Sequence, residues 1–262
     1  AGPDPDTVIE AAVGRAEPVN IKDTSQAQNR ERIFREELRR LVYEQYGPAF
    51  REITQLLEAH GLRRPELEGI GSENETNRFL NWVRKTYVKG DETYRAAPER
   101  SQQERKPEIL RLGTEWAATN DSKVPEDYIT WLRRVEKAFG SIEAIESASQ
   151  EDVTDGLMSI HAFNRQSQYV RGGGANLAAA FWDANERDLQ KVKNTLIYLL
   201  HGSGDFVDRL HDILYYPGKK LRYFGPFCAL ELYGTIKPNE CPPVNGRMAK
   251  ALRYLGFPIS KT

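Results

Sequence analysis

Leu221–Arg222–Tyr223–Phe224–Gly225–Pro226–Phe227–Cys228–Ala229, followed by Pro242–Pro243–Val244–Asn245–Gly246–Arg247, holds the strongest local signals in this chain. The first stretch reads as a tight turn between two short helices. Gly225 is expected to take backbone angles that other residues resist. Pro226 suits the start of the following helix, where its missing N–H costs nothing. Backbone N–H groups at such a start point outward and can hold a phosphate without reading base sequence. The second stretch is another helix start, with Asn245 beside the first turn as a candidate N-cap.

The charge around these stretches is uneven. Residues 217–262 carry eight basic side chains against two acidic ones, a net of +6, while the whole chain is near −1. Lys219, Lys220, Arg222, Arg247 and Lys250 lie in that basic segment. Such a patch beside a tight turn favours a polyanion such as DNA. A solvated basic surface is the alternative.

Working outward, the pattern is helical nearly throughout. A helix with Ile33, Phe34, Leu38, Leu41 and Val42 at helical spacing is expected to end near Gly47–Pro48, and a second to stop at Gly61. Ser101 opens a helix that Pro107 is expected to interrupt. Pro125 starts another, with Leu132, Val135 and Phe139 on one stripe, closed by Gly140. Gly172–Gly173–Gly174 reads as a flexible loop; it lacks the strand and the Lys of a nucleotide-binding loop. A long helix is expected over 184–201. The expected fold class is all-α, in two helical lobes. The boundary is placed at Asn120–Lys123, giving an N-terminal region 1–120 and a region 121–262 that contains the turn.

With 262 residues, 39% hydrophobic and 29% charged, the chain can build a real core under solvated helix faces. No apolar run approaches membrane-spanning length, so no membrane partner is expected. Cys228 and Cys241 are the only cysteines. They exclude a four-cysteine zinc site or iron–sulfur cluster, and no metal or cofactor is expected. Two cysteines, and no basic-then-apolar pattern in Ala1–Gly2–Pro3–Asp4, favour a cytoplasmic location. Asp205, Asp208, His211 and Asp212 crowd one helix at metal-ligand spacing, although acids near a helix start also serve its dipole.

Together the two quoted stretches resemble the helix-hairpin-helix DNA glycosylases, the superfamily of endonuclease III and the adenine mismatch glycosylase. Their hairpin reads roughly Leu-Pro-Gly-Val-Gly-x-x-x-Ala, and a catalytic Asp follows twenty residues after its last Gly. Gly225 to Asn245 repeats that spacing, and Pro243–Val244–Asn245–Gly246 matches the Asp's setting. Residues 217–257 carry the resemblance, which extends loosely over 130–216. It implies a groove between two helical lobes that holds duplex DNA and takes in an extruded base. It also implies backbone contact from Phe224, Gly225, Pro226 and Phe227 to a DNA phosphate.

Two departures shape the implied chemistry. Asn245 stands where the family has its Asp, whose carboxylate stabilises the charge that builds on the sugar. Phe227 stands where bifunctional relatives carry a lyase Lys. The resemblance therefore implies a monofunctional N-glycosylase that leaves an abasic site with an intact backbone. Asn245 would orient water or a sugar oxygen. Glu231, four residues after Phe227 on one helix face, is the replacement acid. An atypical residue at the Asp position points to an atypical modified or damaged base, as in phage genomes, and so to antiviral defence. Asn164, Gln166, Tyr169 and Trp182 are the base-pocket candidates; Trp182 would stack an extruded base. The alternative is a non-catalytic reader of modified DNA within a restriction or defence system.

Overall fold

The computed structural model describes residues 24–62 and 72–259. Residues 1–23, 63–71 and 260–262 lie outside the described residues. Among the described residues the secondary structure is helical, with no strand. The chain divides into two compact units, one formed by Ala1–Pro125 with Pro238–Thr262 and the other by Glu126–Lys237.

In the first unit, α1 (Thr24–Arg39) runs through a π-helical stretch (Arg40–Tyr46) into α2 (Gly47–Ala59). The expected break at Gly47–Pro48 does not occur. Gly47 donates its N–H to the Val42 carbonyl, five residues back, and Pro48 falls in the first turn of α2, where no N–H is needed. Gly61, at φ 64°, follows the end of α2. Next come α3 (Ser72–Tyr87), α4 (Asp91–Arg95) and α5 (Gln102–Ala117). Ser101 and Glu104 form a capping box at the start of α5. The helix then continues through Pro107 instead of breaking there, because a proline this near the start removes only one bond from a well-capped helix.

The C-terminal segment, with α14 (Gly246–Tyr254), belongs to this first unit. The division thus falls at Pro125 and Lys237, whereas the sequence places a boundary at Asn120–Lys123. The cause is apolar burial. Leu252, Leu255 and Phe257 sink into the same core as Phe79, Leu80, Ile109 and Trp116. α14 packs on α3 and α4. Arg100 donates its backbone N–H to the Gly256 carbonyl at 2.9 Å, and the Arg105 guanidinium lies 4.3 Å from the Phe257 ring while pairing with Glu52.

The second unit holds α6 (Glu126–Phe139), α7 (Ile142–Ser147), α8 (Gln150–Ser159) and α9 (His161–Asn164), which leads into a 3-10 helix (Arg165–Tyr169). α10 (Gly173–Ala184), α11 (Leu189–His201), α12 (Phe206–Tyr215) and α13 (Pro226–Ile236) complete it. Gly173 and Gly174 open α10 rather than forming a loop, and the expected helix 184–201 is broken at 185–188. α13 is central, packed by α6, α9, α11 and α12. This explains why it is apolar on nearly every side, with Leu232 and Tyr233 fully buried. Glu231 is the single charged residue in it.

Candidate nucleic-acid interface

The turn joining α12 to α13, residues 216–225, is held from several directions. Leu221 and Phe224 are buried and anchor it to the core. The Tyr216 carbonyl accepts from the N–H groups of Lys219 and Lys220 at 3.0 and 2.9 Å. Thr195 on α11 donates its hydroxyl to the Lys219 carbonyl at 3.1 Å. Asn185, 1% exposed, brackets Arg222: its Oδ1 accepts the Arg222 N–H at 2.9 Å and its Nδ2 donates to the Arg222 carbonyl at 3.1 Å. Gln166, on the 3-10 helix, donates its Nε2 to the Tyr223 carbonyl at 3.0 Å. Three successive elements thus satisfy backbone groups of one turn, which makes it rigid.

The left-handed residue of the turn is Tyr223, at φ 61°, not Gly225. Gly225 has φ −81° and ψ −179°, extended angles open to any residue, and an added Cβ would meet nothing within 4 Å. Gly225 is the N-cap of α13 and Pro226 stands in its first turn; no side chain caps this helix start. Phe224 contributes only backbone here, because its ring is in the core. Phe227 is half-buried.

Among the expected cations, Lys220 and Arg222 are exposed and make no ion pair among the described residues. Lys219 is built in: its Nζ meets Asp212 at 3.0 Å and lies 3.5 Å from the Tyr198 ring centroid. Burial opposes the charges of Asp212 and Lys219. The Tyr198 hydroxyl and their mutual contact outweigh it, so the carboxyl stands below its ordinary range and the ammonium above. Arg247 is exposed on α14, and Lys250 on the same helix lies 5.4 Å from the Tyr94 ring.

The other candidates fall into place as follows. Asn245 is the N-cap of α14, its side chain accepting the Met248 N–H at 3.1 Å. Glu231 is a capping carboxylate. Its two oxygens accept the backbone N–H groups of His161 and Ala162 at 2.8 and 2.7 Å, satisfying the start of α9. Both oxygens of Glu231, the expected replacement acid, are thus engaged in this structure. Trp182 is 4% exposed and donates its indole N–H to Thr154, so it is a core residue and not a stacking surface. Asn164 is exposed, Gln166 serves the turn, and Tyr169 is 80% exposed.

Asp205 caps α12 and Asp212 is engaged by Tyr198 and Lys219. No group of three or more metal-ligating side chains forms a site among the described residues. Cys228 and Cys241 are both buried free thiols. No described helix is long and apolar enough to cross a membrane.

The sequence reading missed Asn185 and Thr195, whose hydrogen-bond partners lie 37 and 24 residues away. It also missed Arg165 and Arg171. A signal for these two exists: no Asp or Glu occurs between residues 156 and 182, nor between 213 and 230. The Gln166–Tyr223 bond brings these two acid-free stretches together.

No family model, curated protein or solved structure matches this chain.

Proposed function

We propose that this protein binds duplex DNA through the turn 216–225 and the start of α13, as a helix-hairpin-helix. On that DNA it acts as a monofunctional N-glycosylase that extrudes and removes a modified or damaged base. The observation that carries this reading is the backbone of the turn. In the hairpin pattern, Leu221, Phe224 and Ala229 take the apolar places, and all three are buried. Tyr223 takes the place of the first Gly and has the left-handed angles such a place needs. The start of α13, where Gly225 brings no capping side chain, suits a phosphate, and the exposed Lys220 and Arg222 supply the surrounding field.

Asn245 carries the proposed chemistry. Its Oδ1 serves the helix start while its Nδ2 can donate to a sugar oxygen or to water. Phe227 offers no amine, so the backbone is left uncut. The atypical residue at Asn245 is matched to an atypical base, as in phage DNA, and so to a role in antiviral defence.

The second reading is a reader of modified DNA without chemistry. It is favoured by the engagement of Glu231 at the start of α9 and by the absence of a carboxylate at Asn245. Incubating the full chain with a panel of modified duplexes separates the two. Alkali-labile abasic sites on the preferred duplex support the enzyme. Tight, steeply salt-dependent binding without product supports the reader. Binding that ignores salt overturns both.

A further inference from the structure

We infer that the turn 216–225 and the 3-10 helix Arg165–Tyr169 form a stacking strip for unpaired nucleotides beside duplex DNA, with Tyr169 and Tyr223 as its rings. The inference rests on the DNA reading above and names the class of DNA.

Tyr223 holds left-handed backbone angles, which strain a non-glycine residue, yet it is 41% exposed. Packing therefore does not account for a ring at this position, where glycine would be unstrained. Tyr169 is exposed further still, at 80%. The two segments are fastened together by Gln166, whose amide reaches both the Tyr223 carbonyl and the Cys228 sulfur. In a 3-10 helix, side chains three residues apart eclipse. Tyr169 therefore shares the edge of Gln166, the edge that faces the Tyr223 loop.

The two segments themselves carry cations and no Asp or Glu. Arg165, Arg171, Lys220 and Arg222 are exposed, and none makes an ion pair among the described residues. The acids of the neighbouring turn have partners of their own: Asp183 pairs with Arg187 at 2.8 Å, Glu186 with Lys191 at 3.3 Å, and Asp188 accepts the Lys191 backbone N–H at 2.9 Å. Exposed rings interleaved with unneutralised cations suit a nucleic-acid strand, whose phosphates follow the charge while its bases stack. In a matched duplex the base faces are already stacked on one another. Only unpaired bases offer a free face to Tyr169 and Tyr223.

The test is fluorescence anisotropy of the full chain with a matched duplex and with the same duplex carrying a short unpaired bulge. The bulged DNA should bind more tightly by about five- to 150-fold for each base stacked. Tyr169→Ala and Tyr223→Gly should each lower that preference, and Tyr169→Phe should retain it. Glycine suits the left-handed angles at 223, so that variant keeps the turn, which circular dichroism and melting verify. Equal affinity for the two DNAs, or a preference that survives both ring deletions in folded protein, overturns the strip while leaving duplex binding intact. Salt-dependent binding to neither DNA overturns the DNA reading as well.

Discussion

Gly225→Asp should separate folding from DNA binding. Gly225 is the N-cap of α13 with extended angles, and a Cβ there meets no atom within 4 Å. Aspartate is among the best N-caps, better than glycine by a few tenths of a kcal/mol. Its charge gains a further ~0.3–1 kcal/mol from the helix dipole. The variant should therefore melt at the same temperature or slightly higher, by about 1–5 °C for a chain of this size. The same carboxylate would occupy the N–H groups proposed for a DNA phosphate and repel that phosphate. Hydrogen bonds to a charged group are worth about 1.5–3 kcal/mol, so affinity should fall roughly tenfold to 150-fold. Gly225→Ala, which adds bulk without charge, should bind within about twofold of the parent, since the lost interaction is electrostatic. Melting curves and anisotropy titrations on one preparation read both effects. A Gly225→Asp protein that is at least as stable and binds DNA unchanged would refute contact through this helix start.

Asn245→Ala should cost about 1 kcal/mol of stability through the lost cap. If Asn245 also orients water or sugar, single-turnover rates should fall tenfold to several hundredfold at little change in affinity, each ~1.4 kcal/mol being tenfold. Normal turnover at a lowered melting point leaves it a cap alone. Glu231→Gln keeps only one acceptor oxygen for the His161 and Ala162 N–H groups, so it should destabilise by about 1–3 kcal/mol. Amide exchange should quicken in α9 while activity per folded molecule is retained; a loss of activity in folded protein would restore Glu231 as an acid. Asp212 has its folded pKa below the ordinary 3.8, so its contribution to stability is present above that value and lost as pH falls through the lowered one. Asp212→Asn should flatten the pH dependence of melting in that acid window, and an unchanged profile would contradict the Tyr198–Asp212–Lys219 arrangement. Burial pushes the Cys228 and Cys241 thiols up to about 12, so neither should react with a thiol reagent at neutral pH until the protein unfolds. Rapid native labelling would contradict that burial.

Local signals were read correctly where their causes are local. Ser101 opens α5 because its own hydroxyl and Glu104, three residues on, satisfy the helix start. Leu132, Val135 and Phe139 line the buried face of α6 because their spacing follows the helical period. Glycine and proline misled where their position near a helix start made them compatible with the helix. Gly173 and Gly174 start a helix, and Pro48 and Pro107 sit inside helical runs.

The sequence alone determined helical secondary structure across the described residues, a tight turn before Pro226 and a cap at Asn245. Those features depend on backbone angles and hydrogen bonds spanning a few residues. Only the tertiary structure decided that Glu231 caps α9 across about seventy residues and that Trp182 is core. It likewise decided that residues 238–259 join the first unit, and that Tyr223 instead of Gly225 bears the left-handed angles. Each of these depends on which distant groups share a core or complete a hydrogen bond. A short window of sequence carries the donor or the acceptor of such a bond, but not both.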